Sequence, residues 1–153
     1  MGTFQQMILY KGSKLNVNPF QPQPVHPDDY YKFPEPIPDK AIFASESETE
    51  AKIFATFSTI VSFEISTTSD DPRITITLGD KIESEILKEK VYIHRFDSEQ
   101  QGWRYIEKSR EWYNTEGQIP TEIQEYTRET LYRELRENPE ISFKEDFKEK
   151  KQQ

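Results

Sequence analysis

The chain has 153 residues, of which 33% are hydrophobic and 13% aromatic, with a net charge of −8 and no cysteine. This length fits one domain, and the lack of cysteine excludes disulfides, thiolate zinc sites and a cysteine nucleophile. Because nucleic-acid binding depends on Lys and Arg, an acidic chain is not expected to bind DNA or RNA directly. No apolar run reaches the roughly 18 residues of a membrane span, and residues 1–10 lack a secretory pattern. We therefore expect a cytoplasmic protein without membrane association.

The N-terminal third is predicted to hold one strand and one long irregular segment. Residues 7–10 are apolar and predict a first strand, which the turn Lys11-Gly12-Ser13 closes. Residues 18–40 contain seven of the ten prolines, which excludes a helix or a central strand there. Aromatic residues recur within this proline-rich segment, namely Phe20, Tyr30, Tyr31 and Phe33. They indicate that the segment packs down, either as structural cover or as a lid over a ligand.

A strand and a helix are predicted next. Ala41-Ile42-Phe43-Ala44 is typical of a short buried strand. Ser45 and Ser47 each precede a glutamate by three residues, the capping-box pattern of a helix start. Helical spacing then predicts a helix over residues 48–57, with a buried stripe formed by Ile53, Phe54, Phe57, Ile60 and Val61.

From residue 62 onward, the pattern changes to alternation. Residues 62–66 and 73–78 alternate polar and apolar around Ser69-Asp70-Asp71-Pro72, which predicts a hairpin. A helical turn is expected at residues 82–87 and a strand at residues 91–96. The aromatic residues between Trp103 and Tyr113 predict one or two short strands around the turn residues 114–117.

The C-terminal part is predicted to form a helix and a charged tail. Pro120 and the pair Thr121 and Gln124 indicate a helix start, and Asn138-Pro139 ends that helix. Its apolar face comprises Ile123, Tyr126, Leu131 and Leu135. We therefore predict one α+β domain over residues 1–143, with a frayed tail at 144–153. It has an antiparallel or mixed, split sheet, a helix after the second strand and a C-terminal helix.

Most catalytic signatures are absent from the sequence. It contains no P-loop, nucleophile elbow, HExxH or dinucleotide-binding glycine motif. The two histidines, His26 and His94, stand alone, which favours structural roles over a metal site or a triad. Glu46, Glu48 and Glu50 suit the positive end of a helix dipole.

Three distant stretches form a more informative arrangement. These are Leu9-Tyr10-Lys11-Gly12-Ser13, the strand ending at Ser45 before a helix, and Glu111-Trp112-Tyr113. Over roughly residues 8 to 125 the chain resembles the ADP-ribosyltransferase-like fold. The likeness is to small bacterial and phage proteins that open with Leu-Tyr-His-Gly-Ser and continue with a Phe-Ala-Ser/Thr strand. The resemblance implies a split sheet with an NAD-binding cleft, here beneath the proline-rich segment.

The resemblance also assigns residues to that cleft. The first motif, Tyr10 to Ser13, matches the segment that holds NAD, and Ser45 matches the residue beside the nicotinamide ribose. A late glutamate stabilises the oxocarbenium-like charge as nicotinamide leaves. Glu111 is the best positional candidate for it, with Glu116 and Glu122 as rivals.

One departure from the family pattern concerns the charge of the site. Lys11 stands where the family has histidine, and an ammonium beside the positive nicotinamide ring is unfavourable. Two function classes therefore stay open: an ADP-ribosyltransferase-like domain, active or degenerate, and a non-catalytic acidic domain that binds another protein, such as a phage-encoded inhibitor or accessory protein. A hydrolase with a carboxylate pair is a third, weaker hypothesis.

Overall fold

The computed structural model describes residues 7–34, 36–67, 73–100 and 102–147, and these form an α+β fold, as predicted. The strands in this part of the chain are β1 (Ile8–Ser13), β2 (Gln23–Pro24), β3 (Lys40–Ala44), β4 (Phe63–Ser66), β5 (Ile74–Leu78), β6 (Lys90–Asp97), β7 (Arg104–Ile106), β8 (Glu111–Asn114), β9 (Glu122–Thr127) and β10 (Ile141–Glu145). The α-helices are α1 (Glu48–Phe57) and α2 (Arg128–Glu137), and two short 3-10 helices span Pro27–Lys32 and Ile86–Lys88.

The described strands form three sheets. The first, β1-β6-β9, and the second, β2-β3-β8-β7, are antiparallel, whereas the third, β10-β5-β4, is mixed because β5 and β10 run parallel. A single bridge joins the first two sheets: Tyr10 N donates to Ser45 O at 2.7 Å, and Ser45 N donates to Tyr10 O at 2.9 Å. Strands β1 and β3 otherwise belong to different sheets, and residues of both line a cleft between them.

Helix α1 packs on two sheets with two different faces. Its small residues Ala51 and Ala55 lie against Val91 and Ile93 of the first sheet. Its large residues, Ile53 and Phe57, are fully buried against the third sheet and α2 in a cluster with Ile76, Leu78, Leu135 and Ile141. Burying these apolar faces stabilises the helix more than its intrinsic propensity does.

The start of α1 confirms one of the two predicted caps, at Ser47, whereas Ser45 lies before the helix and accepts from Ser47 N. Ser47 Oγ accepts a hydrogen bond from Glu50 N at 3.1 Å, and the helix spans the predicted residues. The predicted stripe is wrong at Phe54, which is 37% exposed and faces the cleft. Ile60 and Val61 lie beyond the helix end and are half-buried.

The structure corrects three other predictions, which concern the type and the bounds of secondary-structure elements. Strand β1 continues through Lys11, Gly12 and Ser13, because these residues pair with His94, Ile93 and Tyr92 of β6 instead of turning. The predicted second helix start is strand β9, since residues 122–127 pair with β6. Helix α2 begins later, at Arg128, where Thr127 Oγ1 accepts from Thr130 N at 3.1 Å, and it ends before Asn138 as predicted.

The proline-rich segment contains more regular structure than predicted. Pro27 occupies the first turn of a 3-10 helix, where a missing N–H costs no hydrogen bond, so the expectation of no helix is wrong. Phe20 and Phe33 are buried and anchor the segment, whereas Tyr30 and Tyr31 are exposed. The segment therefore packs down through two of its four aromatic residues.

The predicted hairpin is confirmed. Strands β4 and β5 pair antiparallel as the predicted hairpin, whose turn at residues 69–72 lies outside the described residues. Strand β10 was not predicted, and it extends two residues past the expected boundary of the charged tail because it pairs with β5.

No helix in the described ranges has the length and apolarity needed to cross a membrane.

Gly12 allows α1 to approach β1 closely, and its replacement tests this contact. A Cβ atom there would clash with the Ala51 carbonyl oxygen and come within 2.8 Å of Ala55 Cβ. We expect Gly12→Ala to lower the free energy of unfolding by about 2 kcal/mol or more, because the helix backbone cannot yield locally. Urea denaturation measures this loss.

Gly79→Ala is the matched control for Gly12→Ala. A Cβ at Gly79 meets chiefly the Ser62 side chain, which can rotate away, so we expect a loss below about 1 kcal/mol. Equal losses for the two variants would contradict the structural role given to Gly12.

Candidate functional site

The cleft between the first two sheets holds a cavity of about 280 Å³, which we name the central cleft. Strand β1, the end of β3, helix α1, the first 3-10 helix and the start of β8 all contribute to its wall. The lining residues are Tyr10, Lys11, Gly12, Asp29, Lys32, Phe43, Ala44, Ser45, Glu50, Ala51, Phe54, Ser58 and Glu111. The cleft therefore combines ammonium, carboxylate, hydroxyl and aromatic groups from five elements.

The structure brings together five of the six candidate residues identified from the sequence. Tyr10, Lys11, Gly12, Ser45 and Glu111 line the central cleft. Ser13 does not: it lines an adjoining cavity of about 250 Å³ that shares Gly12, Phe54 and Ser58 with the central cleft.

The rival carboxylates lie elsewhere. Glu122 is on β9, where its Oε2 accepts from Arg95 Nη1 at 3.0 Å on an exposed surface. Glu116 is exposed in the turn after β8. Neither residue lines the central cleft, so among the three late glutamates the geometry favours Glu111 as the cleft carboxylate.

Glu111 is neutralised by a lysine from the proline-rich segment. Lys32 Nζ donates to Glu111 Oε1 at 2.8 Å and lies 2.9 Å from Asp29 Oδ1. Burial alone would lower the pKa of Lys32, but the hydrogen bonds and charges of Glu111 and Asp29 outweigh it and raise the pKa. Lys32 is therefore charged and held between two carboxylates.

Lys11 has a different environment in the same cleft. Its Nζ lies 5.6 Å from the centre of the Phe20 ring and makes no hydrogen bond or ion pair with a described residue. Burial lowers the pKa of Lys11 to about 8, although the charge of Glu111 opposes this shift. Among the described residues Lys11 therefore has no carboxylate partner, and its ammonium group loses its proton around pH 8.

Ser45 and Glu50 form a second polar pair in the cleft. Ser45 Oγ accepts from Ser47 N at 3.0 Å and donates to Glu50 Oε2 at 3.3 Å. Burial, followed by the charge of Glu111, raises the pKa of Glu50, while the Ser45 hydrogen bond and Lys32 oppose that rise. Glu50 thus has a dual role, since its backbone N–H completes the helix cap and its carboxyl group lines the cavity.

Four of the lining residues that the sequence did not assign to this cleft bear on its chemistry. Asp29 and Lys32 were not singled out, although their i,i+3 spacing after Pro27 is a usable signal of a helical pair. Glu50 was assigned only to the helix start, and Phe54 to the core. All four lie on elements that approach the cleft only through tertiary packing.

The histidines take structural positions. His26 caps the first 3-10 helix, with Nδ1 accepting from Asp28 N at 3.1 Å. His94 is fully buried opposite Lys11 in the β1–β6 ladder and packs edge-on to Phe20, with ring centres 4.9 Å apart. The described residues contain no group of three or more His, Asp or Glu side chains arranged to hold a metal ion.

His94 should make the stability of the fold depend on pH. Burial, and secondarily the charge of Lys11, lower the pKa of His94 from 6.5 to about 4, while nearby backbone of Lys11 and Val17 opposes the shift. Neither ring nitrogen meets hydrogen-bond geometry with a described residue. Between pH 6.5 and 4 the unfolded chain binds a proton that the folded chain does not, so His94 lowers stability as the pH falls.

We expect this loss to reach about 3 kcal/mol at pH 4, and His94→Phe to abolish that part of it. The measurement is the free energy of unfolding of both proteins at several pH values in this range. If the free energy of unfolding falls equally with pH in the wild-type protein and in the His94→Phe variant, His94 is not the titrating group.

The comparisons with known proteins leave the site to be interpreted from its own geometry. No family model, no curated protein and no solved structure matches this chain. The functional argument therefore depends on the residues that line the central cleft.

Proposed function

We propose that this protein is an ADP-ribosyltransferase-like domain whose central cleft binds NAD or a related nucleotide such as ADP-ribose. One observation carries the proposal: Lys11, Ser45 and Glu111, from three distant stretches, line one cavity. If Lys11, Ser45 and Glu111 lay on separate surfaces, they could not form a shared binding site.

The groups of the cleft match the parts of such a nucleotide. The unpaired Lys11 ammonium suits a phosphate oxygen, because charge-assisted hydrogen bonds are the stronger ones. The Ser45 hydroxyl and the Glu50 carboxyl suit ribose hydroxyls, which both donate and accept. Gly12 contributes mainly by letting α1 approach, since its Cα faces Ala51 and Ala55.

The same geometry favours binding over transfer. A catalytic carboxylate must present its charge to the developing oxocarbenium ion. The charge of Glu111 is already directed to Lys32 at 2.8 Å, in a pair whose side chains are 15% and 16% exposed. Stabilisation of the transition state is thereby weakened, so the proposed domain binds its nucleotide with little or no transfer.

Calorimetric titration with ADP-ribose tests the binding proposal. We expect Lys11→Ala to weaken ADP-ribose binding about tenfold, because one charge-assisted hydrogen bond is lost. Lys88→Ala is the matched control: Lys88 is an exposed lysine on the second 3-10 helix and should have no effect. Absence of heat with both ADP-ribose and NAD at millimolar concentration would overturn the nucleotide proposal and favour the protein-binding hypothesis.

The charge at position 11 should also set selectivity between the two nucleotides. The Lys11 ammonium repels the positive nicotinamide ring, which ADP-ribose lacks, so we expect the wild-type protein to prefer ADP-ribose. Lys11→His restores the family residue and should raise the affinity for NAD relative to ADP-ribose by about tenfold at pH 7, where Lys11, with a pKa of about 8, is mostly charged and an ordinary imidazole is mostly neutral. An unchanged ratio of dissociation constants would show that position 11 does not face the nicotinamide end.

A further inference from the structure

Two lysines share the central cleft but differ in their partners. Lys32 is held between Asp29 and Glu111 at 2.9 and 2.8 Å, and its pKa is raised. Lys11 has no ion pair with a described residue, and its Nζ lies against the Phe20 ring. Only Lys11 therefore combines access to the cavity with an amine that is not engaged by a carboxylate.

The surroundings of Lys11 favour the neutral amine. His94, its partner on β6, is buried and uncharged at neutral pH, and Phe20 from the proline-rich segment supplies an aromatic surface. Glu111 on β8 is the carboxylate that opposes deprotonation, and Lys32 neutralises it. At pH 8 about half of the Lys11 side chains are uncharged, against about 0.3% of a lysine with a pKa of 10.5.

A carboxyl group suited to proton transfer lines the same cavity. Glu50 on α1 is hydrogen-bonded to Ser45, and burial with the charge of Glu111 raises its pKa. A carboxyl group with a raised pKa keeps its proton to higher pH than an ordinary glutamate does, which suits it to protonate a leaving hydroxyl group. Asp29 on the first 3-10 helix completes the set of charged groups in this cavity and is bound to Lys32.

We propose that Lys11 is a nucleophilic lysine that forms a reversible imine with the aldehyde of an open-chain sugar bound in the central cleft. The inference does not depend on nucleotide binding. The imine inference assigns to Lys11 a covalent reaction that the ADP-ribosyltransferase-like hypothesis does not include.

The step balances without a further reactant. The lone pair of neutral Nζ forms a C–N bond to the carbonyl carbon, and the C=O π electrons move to oxygen. A proton passes from nitrogen to that oxygen, which gives a carbinolamine. Glu50 then protonates the hydroxyl, which leaves as water while the nitrogen lone pair forms the C=N bond. Loss of the remaining N–H proton to the Glu50 carboxylate gives the neutral imine and restores the acid.

The polar lining selects the class of carbonyl compound. Glu50, Ser45 and Asp29 accept or donate hydrogen bonds, so they favour a ligand with several hydroxyl groups. A polyhydroxylated aldehyde therefore fits the cavity better than an aliphatic aldehyde does.

Reductive trapping tests the inference. The full chain is incubated at pH 8 with glyceraldehyde and sodium cyanoborohydride, whose hydride reduces the imine to a stable secondary amine. Peptide mass spectrometry then gives the rate of modification at each lysine. We expect Lys11 to react at least about tenfold faster than the exposed Lys88 and than Lys32. Equal rates at Lys11 and Lys88 would overturn the proposal.

Two arginine variants serve as matched controls, because arginine keeps the positive charge but lacks a nucleophilic amine. Lys11→Arg should remove the rapidly modified site, whereas Lys88→Arg, at an exposed lysine outside the cleft, should leave Lys11 reactive. Propionaldehyde, which lacks hydroxyl groups, should show a smaller preference for Lys11 than glyceraldehyde does. A preference of the same size would overturn the assignment of a sugar ligand.

ADP as a competitor separates this inference from the proposed function, since it carries the diphosphate but no aldehyde. If the cleft binds nucleotides, ADP slows trapping at Lys11. Rapid trapping that ADP does not affect would support the imine and contradict nucleotide binding. Slow trapping with normal calorimetric binding of ADP-ribose would contradict the imine alone.

Discussion

The approach of helix α1 to strand β1 is the contact on which the site depends. Gly12 has no side chain, and Ala51 and Ala55 present only methyl groups, so the helix backbone lies directly on the strand. This contact brings the N-terminal turn of α1, with Glu50, to the place where β1 meets Ser45. A larger residue at any of these three positions would push the helix outward and separate the walls of the cleft.

The bridge between Tyr10 and Ser45 gives the cleft its shape. It is the point where the first and second sheets meet. On one side of this point Leu9 and Ala44 pack into a buried core, whereas Tyr10 and Ser45 themselves line the cavity. The proline-rich segment closes one side, because buried Phe20 and Phe33 anchor it while Lys32 reaches Glu111.

The different charged partners of Lys32 and Lys11 within the cleft explain why the pKa values of the two lysines are shifted in opposite directions. Lys32 is fixed by two carboxylates, which stabilise its charged form and at the same time neutralise Glu111. Lys11 is desolvated without such a partner, so its charged form is destabilised. The cleft therefore holds one lysine that is fixed in ion pairs and one whose amine has no carboxylate partner among the described residues.

The sequence by itself determined the fold class, helix α1 with its cap at Ser47, and the β4–β5 hairpin, because periodicity and capping are local signals. It also pointed to Lys11, Ser45 and Glu111. It mistook β9 for a helix start and missed β10, since both strands form only by pairing with distant partners. Only the tertiary structure decided that Lys32 neutralises Glu111 and that Lys11 has no carboxylate partner among the described residues, because ion pairs between residues far apart in the chain depend on how the elements pack.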